Sequence, residues 1–257
     1  MKKIIDLNCD LGEHSNKTEL SVVTRVLPYI SSGNVACGFH AGSATIMRET
    51  MDDLVKQCIA IGAHPSFADK QNFGRRELSV SPMVVYNEVL YQIAAAASIA
   101  KAAGGKLTHV KPHGALYNMA ARQISLSEAI IHAVRDFDKN IVIYGLSGSV
   151  LVEYGRKLGM KCAAEVFADR TYREDGSLTP RSQSEALIED VEVCLDQILK
   201  LVRFGFVVST SGKKVPLEAD TICLHGDNRS APIFAKRLNL ELEKIGIQLS
   251  PITNKSY

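Results

Sequence analysis

Apolar and polar residues follow two different patterns along the chain. Short apolar, often β-branched runs predict strands over residues 3–9, 34–38, 61–64, 106–112, 140–144, 161–166, 206–209, 221–225 and 247–249. Between most of these runs, apolar residues recur every three or four positions, which is typical of helices. This second pattern predicts helices over residues 43–58, 82–103, 125–137, 149–158, 184–204 and 230–244.

Residues at the predicted helix ends support these boundaries. Ser81 precedes Pro82, so an N-cap is followed by the residue favoured at the first helical position. Gly104 and Gly105 then provide a stop. The segment 206–221 differs from the rest, because its turn residues at 211–213 predict a β-hairpin that leads into another strand.

Regular alternation of strands and helices predicts an α/β protein with a parallel sheet covered by helices. About seven or eight such units favour a closed barrel over an open sheet. Because the sequence has no Pro/Ser-rich linker and no low-complexity tract, we expect residues 1–257 to form a single β/α-barrel domain.

Composition narrows the possible functions. The 257 residues are 46% hydrophobic and carry 30 Lys and Arg against 28 Asp and Glu. The resulting net charge of +2 argues against a nucleic-acid partner, and the apolar content argues against disorder. The absence of 18 consecutive apolar residues predicts no membrane span. Six cysteines without a C-x-x-C pair predict buried free thiols and a cytoplasmic location.

Polar residues interrupt the first predicted strand at every second position. Asp6, Asn8 and Asp10 therefore share one face of the strand, while Ile5, Leu7 and Cys9 share the other. Buried polar groups are costly unless they are hydrogen-bonded, paired or metal-bound. A structural polar network is the alternative to a functional role, and it is at least as good an interpretation for Asp6.

Histidines concentrate at the carboxyl ends of predicted strands. Lone histidines are commonly core residues, but four of the seven in this chain occupy such ends: His40, His64, His113 and His225. Lys111 and Asp227 lie close to two of them in sequence. The carboxyl ends of barrel strands form active sites, so these groups predict acid–base catalysis, metal binding or both. Spacing alone identifies no metal motif, since H-E-x-x-H is absent.

Two charged, glycine-containing loops follow strands, over residues 67–77 and 165–181. For Arg75 and Arg76, surface ion pairs and substrate contacts are equally good interpretations. For Asp169, Arg170 and Arg181 we favour a functional role, because arginine binds carboxylates and phosphates bidentately. The sequence has no P-loop, and the turn at residues 145–149 fits a simple strand-to-helix connection better than an anion site.

Seven ordered motifs together resemble the LamB/YcsF family. They are DLNCDLGE (6–13), NVACGFHAG (34–42), GAHPS (62–66), FGRR (73–76), VKPHGALYN (110–118), EVFADR (165–170) and LHGD (224–227). The chain departs from the family pattern at Glu13-His14-Ser15, where members often continue with phenylalanine and glycine. This departure concerns the shape of the first loop.

The resemblance implies an irregular seven-stranded parallel β/α barrel of the glycoside hydrolase/deacetylase type. It also implies ATP-dependent opening of 5-oxo-L-proline to L-glutamate together with two partner subunits, B and C of a 5-oxoprolinase. ATP with Mg²⁺ would bind to this chain or to those partners. Phosphorylation of the lactam oxygen makes the carbon electrophilic, so the reaction needs a base for water, an acid for nitrogen and cations for phosphate.

The resemblance implies a role in metal binding, catalysis or substrate binding for individual residues, and we state these roles as hypotheses. Deacetylase-type barrels bind a divalent metal through one Asp and two His, which makes Asp10, His64 and His113 the metal candidates. Asp10 or Glu13 would instead activate water. The remaining candidates are the acid–base groups His40, His225 and Asp227 and the substrate-binding residues Asn8, Asn34, Lys111, Glu165, Asp169, Arg170 and Arg181. Two alternatives stay open: a stand-alone metal-dependent amidohydrolase or carbohydrate deacetylase, and a non-enzymatic binding subunit.

Overall fold

Ten strands form the framework of the computed structural model, which describes residues 3–13, 24–224 and 231–252. In chain order they are β1 (Lys3–Leu11), β2 (Ser32–Ala36), β3 (Ala60–His64), β4 (Leu107–Val110), β5 (Val142–Leu146), β6 (Cys162–Phe167), β7 (Phe206–Val208), β8 (Lys214–Pro216), β9 (Thr221–Leu224) and β10 (Ile247–Leu249). Strands β1 to β6 pair in sequence order, and β9 joins β6 to β1. All these pairings are parallel, so the predicted seven-stranded β/α barrel is confirmed.

Strand β1 is the longest and has three partners. Its first residues pair with β10, from Lys3 opposite Ile247 onward, outside the closed ring. Its middle pairs with β9, and its end pairs with β2. The pairing with β10 therefore attaches the last described strand to the base of the barrel.

Helices surround the barrel between successive strands. They are α1 (Ala44–Lys56), α2 (Pro82–Ala102), α3 (Gly114–Ala120), α4 (Ile124–Asp138), α5 (Val150–Lys157), α6 (Val191–Phe204) and α7 (Ala231–Lys244), with short 3₁₀ turns at Leu27–Tyr29, Lys70–Asn72 and Ser184–Ala186. The side chains of Ser43, Ser81, Ser149 and Asp190 accept hydrogen bonds from first-turn N–H groups of α1, α2, α5 and α6.

Two expectations about element boundaries were wrong, one for a helix and one for a strand. The helix expected over residues 184–204 is broken into Ser184–Ala186 and α6, because the N–H of Ile188 bonds the Asp169 carbonyl and ties this stretch to the loop after β6. The strand expected to reach residue 112 ends at Val110, and α3 follows almost at once. The expected hairpin is confirmed, since β7 and β8 pair antiparallel.

Helix α2 is long and apolar enough to cross a membrane, judged by length and composition only. One third of its most apolar window is buried in this fold. Val85, Val89 and Ile93 belong to the main hydrophobic core, and the Gln92 side chain donates a hydrogen bond to the Ser66 carbonyl. The expectation that no segment spans a membrane stays a prediction.

The interior of the barrel is polar at its base. Asp6 is fully buried and accepts hydrogen bonds from the hydroxyls of Ser31, Ser32, Thr221 and Tyr144. Burial raises the pKa of Asp6 above its usual value, although these hydrogen bonds oppose the shift. Because every bond to Asp6 comes from within the barrel base, its role in this fold is structural.

Candidate active site

A cleft of about 770 Å³ opens at the carboxyl ends of the strands. Asp10 and His64 at the ends of β1 and β3, with Lys111 just after β4, form its floor. Its walls come from loops after β3, β4, β5 and β6, which carry Arg75, His113, Ser147 and Arg181 among others. This is the position at which β/α barrels place their active sites.

Lys111 lies at the centre of the cleft floor and is 2% exposed. Its Nζ atom is 2.9 Å from Asp10 Oδ1, 2.9 Å from Glu165 Oε1 and 3.0 Å from Cys223 Sγ. Burial favours the neutral amine, but the Asp10 charge and its neighbours outweigh burial and raise the pKa of Lys111 well above its usual value. The floor therefore contains one lysine cation between two carboxylates.

Asn8 and Asn34 hold these carboxylates from below. The Asn8 side-chain amide donates to Glu165 Oε1 at 2.9 Å, and that of Asn34 donates to Asp10 Oδ1 at 2.8 Å. His109 bonds the Asn34 carbonyl oxygen and thereby fixes the orientation of that amide. Both asparagines are fully buried under the cleft, so they orient the charged groups instead of lining the cleft.

A second cluster lies beside the lysine, formed by Glu13, His40, His64 and His113. One ligand-type atom of each residue lies within 4.8 Å of all the others. Glu13 Oε1 is 2.8 Å from His40 Nε2, 3.2 Å from His113 Nδ1 and 3.8 Å from His64 Nε2. Asp10, which the sequence grouped with His64 and His113, contacts this cluster through Oδ2, 3.3 Å from His64 Nε2.

Hydrogen bonds behind the three imidazoles fix their tautomers. His64 Nδ1–H donates to the Lys111 carbonyl, and His113 Nε2–H donates to the Phe73 carbonyl. The Ser66 hydroxyl donates to the Phe67 carbonyl, so its oxygen accepts from His40 Nδ1–H.

In the neutral state the opposite nitrogen of each ring therefore carries a lone pair on the Glu13 side of the cluster, where His113 Nδ1 and His64 Nε2 also lie 2.9 Å from each other. Such an arrangement needs a cation or a proton at its centre.

The pKa shifts agree with a cluster that accommodates one positive charge. Burial lowers the pKa of His40 to about 4 and also lowers the pKa of His113. Burial opposes the charged form of His64 as well, but the Asp10 carboxylate outweighs burial and raises the pKa of His64. Contacts with His113 and His40 overcome burial at Glu13 and hold its pKa below the usual value. Glu13 therefore stays ionised.

Arginines dominate the outer wall of the cleft. Arg170 is buried, with Nε donating to the Ala186 carbonyl and Nη2 donating to the Thr179 carbonyl, so it also holds the loop after β6 together. Asp169 is its buried neighbour and does not line the cleft. Arg75 lines the cleft, with its guanidinium 4.8 Å from the Phe73 ring centre, whereas Arg76 lies outside it.

Tyr117 is a cleft residue that the sequence analysis did not identify. Burial, followed by the charge of Glu165, raises the pKa of Tyr117 well above its usual value, so its hydroxyl keeps its proton. Within the described ranges, the Tyr117 hydroxyl and Glu165 Oε2 are buried without a hydrogen-bond partner. Tyr117 follows His113 by four residues, a spacing that becomes informative only once α3 is known.

Two predicted site residues cannot be placed. His225 and Asp227 lie outside the described residues, as does His14, so their proposed roles stay predictions. The turn at residues 145–149 behaves as a simple connection. The N–H groups of Ser147, Ser149 and Val150 donate hydrogen bonds to the carbonyls of Glu165, Leu146 and Ala121, so these three N–H groups are not available to bind an anion.

Comparisons with known proteins cover nearly the whole chain. The family model of the LamB/YcsF family matches residues 5–257. A protein of Geobacillus thermodenitrificans, named as the A subunit of 5-oxoprolinase, is 51% identical over 254 residues, 99% of each chain. A protein of Bordetella pertussis with the same name is 47% identical over 249 residues, 97% of this chain and 99% of the relative.

Solved structures agree with this assignment. The crystal structure of a lactam utilization protein from Thermus thermophilus has a TM-score of 0.88 and 40% identity, covering 97% of this chain and 99% of that one. A putative cellobiose-phosphate cleavage protein from Enterococcus faecalis has a TM-score of 0.59 at 13% identity and covers 97% of both chains, which indicates a shared fold only. From its sequence match and its barrel, the chain belongs to the LamB/YcsF family.

Proposed function

We propose that this chain is one subunit of an ATP-dependent 5-oxoprolinase, which converts 5-oxo-L-proline to L-glutamate. The observation that carries the proposal is the combination of an acid–lysine–acid floor with an arginine-lined wall in one cleft. The substrate is a small cyclic amide with one carboxylate, so it needs cations, polar groups and a modest apolar surface. The names of the relatives at about half identity point to the same substrate.

The cleft offers a counterpart for each part of this substrate. Lys111, Arg170 and Arg181 supply positive charge for the carboxylate or a phosphoryl group. Phe167 and Leu146 line the same cleft and provide apolar surface for the ring methylenes.

The overall reaction consumes one ATP and two water molecules. The lactam oxygen attacks the terminal phosphorus, and ADP leaves. Water then adds to the activated carbon, and the C–N bond breaks as nitrogen gains a proton. A second water molecule releases phosphate from the resulting acyl phosphate.

Residues of this chain would position water and transfer protons. Asp10 is held by Lys111 and Asn34, so its carboxylate is oriented to accept a proton from water at the cleft floor. Lys111 would stabilise negative charge that develops on oxygen. Glu13 remains the other candidate base, and His225 with Asp227 remain candidates for the acid.

We also propose that Glu13, His40, His64 and His113 hold a divalent cation. Three imidazole nitrogens and one carboxylate oxygen suit Zn²⁺ and related ions, and the tautomers described above leave their lone pairs on the Glu13 side of the cluster. Such an ion acts as a Lewis acid on a bound oxygen. The set shares His64 and His113 with the one inferred from the sequence.

Metal analysis tests this site. The purified protein is loaded with Zn²⁺ or Mn²⁺, desalted and measured for moles of metal per chain. We expect about one ion in the wild type and a large loss in His64→Ala and His113→Ala, with no loss in His132→Ala on α4. Equal metal content in all four proteins would contradict the assignment.

Two partner subunits, B and C, and ATP with Mg²⁺ complete the proposed enzyme. A cytoplasmic location is proposed with it, because Cys9, Cys37, Cys162, Cys194 and Cys223 are buried free thiols and Cys58 is an exposed one. The test is glutamate release from 5-oxoproline with ATP and Mg²⁺, using this chain alone, the two partner subunits alone and all three together. We expect glutamate only from the complete mixture. No glutamate from that well-folded mixture would contradict the proposal.

The second candidate function is a stand-alone metal-dependent amidohydrolase or deacetylase. The Glu13–histidine cluster favours it, because metal-assisted amide hydrolysis needs no ATP. It predicts hydrolysis of N-acyl substrates by this chain alone, with bound metal, and no dependence on the partner subunits.

A further inference from the structure

All three hydrogen-bond donors of Lys111 are already engaged in the cleft floor. Nζ lies 2.9 Å from Asp10 Oδ1, 3.3 Å from Asn8 Oδ1, 3.0 Å from Cys223 Sγ and 2.9 Å from Glu165 Oε1. An ammonium group has three N–H bonds, so four acceptors share three donors. To stabilise negative charge on a substrate oxygen, Lys111 therefore has to give up one of these contacts.

Of these contacts, the one with Glu165 is the costly one to break. Asp10 lines the cleft together with Lys111, so a shift of Nζ toward a substrate keeps that ion pair. Glu165 is fully buried and does not line the cleft, so the same shift moves Nζ away from it. The Asn8 amide then remains as the donor to Glu165 Oε1, and a buried carboxylate without a cation is unfavourable.

A second donor, which lacks a partner among the described residues, lies beside Glu165. In those ranges three buried side-chain atoms have no hydrogen-bond partner, and two of them are the Tyr117 hydroxyl and Glu165 Oε2. The Tyr117 ring contacts the Phe167 ring edge-on at 5.8 Å between centres, and Lys111 Nζ lies 5.3 Å from the centre of the Phe167 ring. Tyr117 therefore approaches the floor from the side of Phe167.

The charge on Glu165 acts on the Tyr117 hydroxyl. After burial, this charge is the largest cause that raises the pKa of Tyr117 well above its usual value. The hydroxyl therefore keeps its proton next to the carboxylate and remains available as a neutral donor. A neutral donor suits this position, because a second cation beside Glu165 would repel Lys111.

We propose that Tyr117 is a positioning residue, whose hydroxyl holds Glu165 Oε2 when Lys111 turns from Glu165 to the substrate. The inference rests on the proposed function and adds a residue to it. In the resting floor Lys111 satisfies Glu165. When Lys111 donates to the charged oxygen of the reacting lactam, Tyr117 supplies the hydrogen bond that Glu165 has lost. Tyr117 thereby stabilises the transition state and not the resting state, which is the condition for a faster reaction.

Kinetics of Tyr117→Phe in the three-subunit mixture test the proposal. The variant removes the hydroxyl and keeps the ring that contacts Phe167. We expect kcat for glutamate release to fall by about 10- to 100-fold, the effect of losing one hydrogen bond to a buried charge in the transition state alone. KM for 5-oxoproline should stay the same, because the hydroxyl acts only after the substrate is bound.

The melting temperature of the isolated chain separates positioning from a structural role. Among the described residues the Tyr117 hydroxyl has no partner, so its removal breaks no hydrogen bond of the resting floor. Tyr117→Phe should therefore melt at or above the wild-type temperature. Tyr154→Phe is the matched control, because it removes a hydroxyl that donates to Glu128 at 2.8 Å between the outer helices α5 and α4. Its kcat should equal that of the wild type.

A double-mutant cycle with Glu165→Gln tests the partner of the hydroxyl. The glutamine has no charge to compensate, so Lys111 leaves it at a smaller cost and the Tyr117 hydroxyl has less to stabilise. Tyr117→Phe should then reduce kcat by less than about threefold in the Glu165→Gln background. Equal losses in the two backgrounds would show that the hydroxyl acts on another group.

Three results overturn the proposal: an unchanged kcat in Tyr117→Phe, a loss of kcat that comes with a lower melting temperature, and equal losses in the two backgrounds of the cycle. Each of them leaves the oxoprolinase assignment intact, because the wild-type mixture still releases glutamate. A wild-type mixture that releases none contradicts the proposed function itself. The two failures are therefore distinguishable.

Discussion

Replacing Lys111 by Met gives the sharpest test of the cleft floor. The substitution keeps most of the side-chain volume but removes the cation between Asp10 and Glu165, each 2.9 Å from Nζ. Both carboxylates are then buried with no positive partner at that position. Breaking a buried ion pair in this way costs about 3–5 kcal/mol, because one or more charges remain uncompensated.

This free energy converts to a measurable melting shift. A chain of this size loses about 2–4 °C in Tm per kcal/mol, so Lys111→Met should melt roughly 10 °C below the wild type at neutral pH. Differential scanning calorimetry at several pH values measures the shift. The orphaned carboxylates should have folded-state pKa values above their unfolded values, so they cost stability as pH rises through the folded pKa. The deficit of the variant should therefore shrink as pH falls.

A second substitution checks the cause. Adding Glu165→Gln to Lys111→Met removes one of the uncompensated charges, so the double variant should recover part of the lost stability. If Lys111→Met melts within about 2 °C of the wild type, or if its deficit does not change with pH, the floor is not held by this ion-pair network.

Three further predictions follow from individual positions. Asp10→Asn should abolish most glutamate release by the three-subunit mixture while the circular dichroism spectrum stays native; near-normal turnover would remove Asp10 from the mechanism. Gly62→Ala should cost about 1–3 kcal/mol of stability in a urea melt, because its methyl group would overlap the His109 ring. Gly104→Ala is the comparison, since its methyl group would meet no atom and the variant bears only the cost of its positive φ, about 1–2 kcal/mol. His109→Gln should flatten the acid limb of the Tm–pH curve. Burial lowers the pKa of His109 to about 3, so the wild type loses stability as pH falls from 6.5 toward that value. An unchanged acid limb would contradict this assignment.

The barrel could be predicted because its signals are local. Each segment shows its own strand or helix periodicity without reference to the rest of the chain. Most predicted strands and helices therefore begin and end within a few residues of the observed ones. The break after Ala186 could not be predicted, because it depends on the Ile188 N–H bonding a carbonyl on another loop. The short helix α3 was missed for a different, local reason, since Pro112 and Gly114 indicate a turn and not a helix.

The sequence predicted which residue types gather at the strand ends, but not which of their side chains contact each other. Strand-end position identified His40, His64 and Lys111 as cleft residues or their neighbours. Sequence could not show that Glu13 contacts three histidines, because their orientation depends on carbonyls of Phe73 and Lys111 that no side-chain pattern reports. Tyr117 was missed because its spacing of four residues from His113 matters only when residues 114–120 are known to be helical.

The three-way pairing of β1 also has a consequence for synthesis of the chain. β1 is made first, but its partner β9 follows more than two hundred residues later. At ribosomal rates of about 5–20 residues per second, β1 waits roughly 10–40 s before the ring can close. An apolar strand exposed for that time would risk pairing with other nascent chains. Charged residues within an exposed strand oppose such pairing, and Asp6 and Asp10 place two carboxylates in β1, so we expect the unpaired strand to associate less readily than an apolar run of the same length.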